Sequence, residues 1–178
     1  MQEAGKGRSN LLTGVRALVV GLAREGTALA RFLSQHGAHV TATDSRAASD
    51  LSTSLAALAD LPISYALGGH PLTVLDDRSI VFVSPGVPLE IPLLVEARRR
   101  RLPLSSETRL FTRLCPARVV GITGSSGKTT TTALLGKILD NAGFPVLVGG
   151  NIGQPLIARL DTIREQDTVV MELSSFQL

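Results

Sequence analysis

Short unbroken apolar runs alternate along this chain with stretches in which apolar residues recur every third or fourth position. Val15–Leu22 (VRALVVGL) is a run bounded by glycine and reads as a buried strand. GTALARFLSQHG follows, with Ala28, Leu29, Phe32 and Leu33 at helical spacing and Gly37 as the stop. HVTATD then reads as a second strand ending at Asp44. Strand, helix and strand in that length predict one βαβ unit.

The same reading carries on downstream. Residues 47–61 are Ser- and Ala-rich and predict helix and loop, 63–67 a short strand before the Gly68-Gly69 turn, and 79–83 (SIVFV) a strand stopped by Ser84-Pro85-Gly86. Residues 91–101 predict a helix with Leu93, Leu94 and Ala97 on one face; a strand over 102–105 and a short helix over 107–114 follow. Pro116 marks a domain boundary, after which the pattern restarts. ARVVGITG predicts a strand, GSSGKTT a loop, and 129–141 a helix ended by Gly143. Then come a strand over 145–148, a glycine-rich turn over 149–153, a helix over 155–164 with proline near its start, and a strand over 168–173. The fold class is α/β, with domains expected over 1–116 and 117–178. After SSFQL no turn or polar tail covers the second sheet, so the sequence is expected to be a fragment of a longer protein.

Composition sharpens this picture in a few places. At 178 residues, with 44% hydrophobic and 19% charged residues, the chain is globular. Only 3% is aromatic, which argues against a nucleic-acid surface of stacked rings. The net charge is +3, and the one dense basic cluster, Arg98–Arg101, reads either as a solvated helix end or as a phosphate- or nucleic-acid-binding patch. Cys115 is the single cysteine, which rules out an internal disulfide and favours a cytoplasmic setting. No secretory h-region and no transmembrane-length apolar run are seen.

Two segments carry candidate chemistry. Residues 123–130 (TGSSGKTT) lie directly between a predicted strand and a predicted helix. Backbone N–H groups there form a nest for phosphate oxygens, and the helix N-terminus adds positive potential. Thr123, Gly124, Ser125, Ser126, Gly127, Lys128, Thr129 and Thr130 are therefore the candidate ATP site, with Lys128 on the β- and γ-phosphates and the Thr129 hydroxyl on Mg²⁺. The strict pattern GxxxxGK[ST] would need glycine where Ile122 stands; Gly121 gives the shorter GxxGKT form. Glu172, closing the apolar run VVM, is a second metal-ligand candidate, although position alone equally allows a surface glutamate. In the first domain, residues 21–26 read GLAREG, one glycine short of the dinucleotide fingerprint, and Asp44 sits where a ribose-binding acid is usual. A site for NAD, a site for a nucleotide-sugar and a purely structural turn are all compatible with that signal.

Taken in order, GLAREG, TDSR (43–46), VSPGVP (83–88), GITGSSGKTTTT, GGNIGQPL (149–156) and MELSSFQL (171–178) resemble the D-glutamate-adding family of Mur ligases over nearly the whole chain. GGNIG and ELSSFQL are the most specific parts. The resemblance implies a Rossmann-like domain for a UDP-linked substrate, then the first part of a P-loop ATPase domain, the Mur ligase central domain. It implies ATP-dependent ligation of D-glutamate to UDP-N-acetylmuramoyl-L-alanine through an acyl phosphate, in peptidoglycan precursor synthesis, by a monomer needing ATP and Mg²⁺. Lys128 would neutralise the transferring phosphoryl group, with Thr129 and Glu172 on the metal. Arg24, Glu25, Asp44, Ser45 and Arg46 would surround the uridine end, Gly86 would lend backbone, and Asn151 would lie near the pyrophosphate and sugar. Ala23 replaces a glycine found in some relatives. The family's carbamylated lysine, metal-binding histidine and C-terminal domain would lie beyond Leu178, and His36, His39 and His70 match none of these roles. The chain alone is expected to bind nucleotides without completing the ligation.

A nucleotide- or NAD-binding module without ligase chemistry is the alternative, and it leaves the phosphate loop and Glu172 without a role. A GTPase-like switch is a further option, but no guanine-specificity motif of the NKxD kind is visible.

Overall fold

A computed structural model describes residues 11–150 and 153–174. The chain divides into two compact units, Met1–Glu107 and Thr108–Leu178. The first holds β1 (Arg16–Val20), α1 (Arg24–Gln35), β2 (His39–Asp44), α2 (Ser52–Ala56), β3 (Ser64–Leu67), β4 (Ile80–Val83), α3 (Pro92–Arg99) and β5 (Leu104–Ser105). The five strands are all parallel, in the order β3-β2-β1-β4-β5. The chain thus works outward from β1 on one side and then returns to fill the other, which creates a switch point at the C-terminal ends of β1 and β4.

The apolar runs in β1 and β2 are explained by cover on both faces. Leu18 and Val20 of β1 pack with Val74, Leu75, Leu93, Leu94 and Ala97. The alternate residues Ala17 and Val19 are equally buried, and α1 lies against β1 and β2 with Leu29, Phe32 and Leu33 inward. Gly26 fixes how closely α1 starts over β1, because a Cβ there would run into the Gly21 carbonyl.

The second unit holds α4 (Glu107–Leu114, whose first residue closes the first unit), β6 (Arg118–Ile122), α5 (Lys128–Asn141), β7 (Val146–Gly150) and β8 (Thr168–Glu172). Its three strands are parallel in the order β6-β8-β7, with α5 packed on them. By compactness the second unit starts at Thr108, so α4 belongs with it. Thr108 and Thr112 of α4 and Val119, Gly121 and Met171 of the sheet line a common pocket of about 500 Å³. Two expected elements differ in form. The segment expected as a helix over 155–164 is a 3₁₀ turn over Leu156–Thr162, and β7 runs on through Gly149 and Gly150 where a turn was expected. Register accounts for the second difference: Gly149 and Gly150 pair with Met171 and Glu172 of β8.

Candidate functional site

Each unit presents the C-terminal edge of a parallel sheet, the edge at which open α/β sheets bind ligands. In the first unit three loops meet there, after β1, β2 and β4. Asp44 ties two of them together. Its Oδ2 accepts the Leu22 N–H at 2.7 Å, and its Oδ1 accepts the Arg46 N–H at 3.0 Å. The Arg46 guanidinium grips the same carboxylate from Nε at 3.0 Å and Nη2 at 2.9 Å. Burial by itself raises the Asp44 carboxyl pKa, but the Arg46 and Leu22 hydrogen bonds outweigh it and hold the group at about 2. The third loop is tied by Ser84, whose hydroxyl donates to the Gly21 carbonyl at 2.8 Å.

Arg24 and Glu25 open α1 at this edge and pair with each other at 2.7 Å. Ser45 and Arg46 are exposed just past β2, and Gly86 is exposed past β4 with open space where a side chain would stand. Among the described residues, the expected uridine-site residues Arg24, Glu25, Asp44, Ser45, Arg46 and Gly86 therefore share one edge. Asn151 lies outside the described residues. Asp44 also ties this edge together. Both of its oxygens are engaged by protein donors, so it shapes the loops and aims Arg46.

In the second unit, the loop over 123–127 joins β6 to α5. Gly127 caps α5 in the left-handed region (φ 76°), and no side chain closes the helix N-terminus, which leaves its first N–H groups for a ligand. Thr123, Ser125, Ser126 and Thr130 are exposed around it. Lys128 lies back over the loop, its Nζ donating to the Gly124 carbonyl at 2.7 Å. Glu172 ends β8 paired with Ile122 of β6, is 3% exposed, and accepts the Thr129 hydroxyl at 2.8 Å. A buried carboxylate beside a phosphate-loop threonine is not a surface glutamate. Thr129 and Glu172 are two hard oxygen donors on one spot. That suits Mg²⁺, which takes few protein oxygens and fills its shell from phosphates and water. Among the described residues no group of three or more His, Cys, Asp or Glu side chains gathers to hold a metal.

Two residues had no role of their own in the sequence reading, which found His70 to match no family role. Thr43 is wholly buried one position before Asp44, and His70 hydrogen-bonds to it. The Gly68-Gly69 turn was the available signal, since it returns the chain to the β2 edge.

A parallel sheet with a laced switch point, followed by a phosphate loop with a buried carboxylate opposite its threonine, defines a nucleotide-binding α/β protein. The sequence matches the MurD-like N-terminal domain of Mur ligases over residues 15–105 and the Mur ligase middle domain over residues 122–178. The chain belongs to the Mur ligase family. It is 47% identical over 167 residues to the UDP-N-acetylmuramoylalanine–D-glutamate ligase of Acidobacterium capsulatum, covering 94% of this chain and 36% of that protein. It is 48% identical over 167 residues to the enzyme of the same name from Geotalea uraniireducens, covering 94% of this chain and 37% of that one. The chain thus spans about a third of the length of these curated relatives. Among solved structures it is similar to UDP-N-acetylmuramate:L-alanyl-γ-D-glutamyl-meso-diaminopimelate ligase from Neisseria meningitides, with TM-score 0.55, 21% identity, and 89% of this chain and 52% of that one covered. A UDP-N-acetylmuramate-alanine ligase from Thermotoga maritima gives TM-score 0.52 at 23% identity, with 89% and 37% covered. These two likenesses bear on the fold. No helix among the described residues is long and apolar enough to cross a membrane.

Proposed function

We propose that this chain supplies the UDP-substrate-binding unit and the phosphate loop of an ATP- and Mg²⁺-dependent ligase that joins D-glutamate to UDP-N-acetylmuramoyl-L-alanine. The observation that carries the reading is the Thr129–Glu172 contact of 2.8 Å at the mouth of the phosphate loop. A dinucleotide- or sugar-binding module has no use for it, whereas phosphoryl transfer needs a metal held beside the γ-phosphate. The names of the relatives supply the substrates.

In this reading the substrate's alanyl carboxylate attacks the γ-phosphorus and ADP leaves. The amine of D-glutamate then displaces phosphate from the acyl phosphate to form the amide. Lys128 exchanges its hydrogen bond to the Gly124 carbonyl for oxygens of the transferring group and neutralises the charge gathering there. The open α5 N-terminus receives the remaining phosphate oxygens. Thr129 and Glu172 hold Mg²⁺ when it is bound. The first unit grips the UDP portion, and D-glutamate and UDP-N-acetylmuramoyl-L-alanine are the expected small-molecule partners of a monomeric, cytoplasmic enzyme.

Calorimetric titration of the chain with ATP, with and without Mg²⁺, tests this. Binding should be Mg²⁺-dependent, and Thr129→Val should remove most of that dependence while leaving metal-free binding nearly unchanged. A Thr129→Val protein that responds to Mg²⁺ like the parent would remove Thr129 from the metal site.

A further inference from the structure

The loop after β3 is stitched to the loop after β2. Gly68 N–H donates to the Arg46 carbonyl at 2.8 Å and Gly69 N–H to the Asp44 carbonyl at 3.2 Å. His70 is thereby brought to the edge where Asp44, Ser45 and Arg46 lie. Its ring is anchored through a buried hydroxyl. Thr43 Oγ1 donates to the Gly69 carbonyl at 3.1 Å and lies 3.0 Å from His70 Nδ1. A threonine hydroxyl has one proton, and here the carbonyl takes it. Nδ1 must then carry the ring hydrogen and donate to Thr43, which fixes the tautomer and leaves Nε2 as a bare acceptor. Among the described residues Nε2 has no hydrogen-bond partner. Burial lowers the His70 pKa, only partly offset by the Asp44 charge, and this keeps the ring neutral.

We infer that His70 is a recognition residue of this nucleotide site, its Nε2 accepting a hydrogen bond from the nucleoside half of the ligand. The inference rests on the uridine-nucleotide reading of the first unit. Much of the charged equipment of this edge is already committed. Each Asp44 oxygen already accepts two hydrogen bonds, Glu25 is engaged by Arg24 through Oε1, and Arg24 and Arg46 are donors. A uridine offers two kinds of donor, the ribose hydroxyls and the uracil imide N–H. Leaving such a donor unpaired on binding costs affinity. His70 Nε2 is a neutral acceptor on a ring that the Thr43 contact holds at this edge.

The test is titration of the 178-residue chain with UDP, comparing two amide variants that imitate opposite ring nitrogens. His70→Asn keeps an N–H toward Thr43 but has nothing at Nε2. His70→Gln places its amide oxygen near Nε2. The expected result is a loss of about three- to tenfold in UDP affinity for His70→Asn and a smaller one for His70→Gln, with the melting temperature of His70→Asn close to the parent's. Titration with 2′-deoxy-UDP and with N3-methyl-UDP identifies the donor: the parent should lose affinity for one of them, and His70→Asn should lose nothing further on that same analogue. Equal UDP binding by parent and His70→Asn overturns the inference and leaves the uridine reading intact. Equal losses in both variants together with a lowered melting temperature overturn it in favour of a structural role. Failure of the parent to bind UDP overturns both.

Discussion

The two C-terminal sheet edges are built in opposite ways on the same kind of sheet. The first unit's edge is laced by side chains: Asp44 on Leu22 and Arg46, Ser84 on Gly21, and Ser54 and Thr27 both on the Leu22 carbonyl. Among the described residues, the second unit's edge has no side chain capping α5, and Lys128 and the Thr129–Glu172 pair contact the loop. A nucleoside has a fixed pattern of donors and acceptors, so its site is made of locked groups. A triphosphate presents negative oxygens on all sides, so main-chain N–H groups, one cation and a metal suffice. The cores differ in the same direction. β1 and β2 are buried almost throughout, whereas Leu134 and Ile138 of α5 and Val148 of β7 are exposed.

The comparison is most sharply tested by Gly26→Ala. The added Cβ must displace α1 from the Gly21 carbonyl, which should cost about 3 kcal/mol of first-unit stability in urea unfolding, near the upper end of the overpacking range. Gly127→Ala meets nothing in space and carries only the strain of its φ of 76°, about 1 kcal/mol. Equal costs for the two would contradict the picture of one packed edge and one open edge.

Lys128→Ala comes next. It removes a charge-assisted contact to phosphate and should weaken ATP binding about 10- to 100-fold. UDP binding at the other edge should be unchanged, and a parallel loss there would mean the two sites are not separate.

Asp44→Asn is a smaller, pH-dependent test. The native carboxyl titrates at about 2 against an ordinary 3.8, so the native state binds its proton more weakly than the unfolded chain does. Its contribution to stability is complete above the ordinary value and fades as pH falls from 3.8 toward 2. The stability gap between parent and Asp44→Asn should be flat near neutrality and narrow over that acid window; a gap independent of pH down to 2 would exclude the charged clasp. Smallest of all is Leu134→Ala on α5, expected within about 0.5 kcal/mol because the side chain is 59% exposed.

How much of this was legible in the sequence follows from the type of signal each element gives. Short apolar runs such as 15–22 and 79–83 located strands, and β2 and α4 occur with the bounds expected. The phosphate loop was legible because strand, glycines, Lys-Thr and helix are contiguous. What depends on contacts far apart in the chain was not. Glu172 meets Thr129 only through the β6–β8 pairing, and Asp44 meets Leu22 only through β1–β2. The Asp44 position pointed to ribose; its hydrogen bonds to Leu22 and Arg46 were not legible from that position. His70 carried no motif, and its place depends on the return of the β3 loop to β2. The 3₁₀ turn over Leu156–Thr162 showed helical spacing, but periodicity does not separate the two helix types in so short a segment.

The central claim, that the first unit is built for a UDP-linked substrate and not a dinucleotide, is tested most directly by thermal unfolding of the chain with UDP-N-acetylmuramoyl-L-alanine, with NADH as the control. At about 100 times Kd the UDP-sugar should stabilise the first unit by roughly 2.7 kcal/mol, and NADH should leave it unchanged. Stabilisation by NADH and not by the UDP-sugar would contradict the account and make this edge a dinucleotide site.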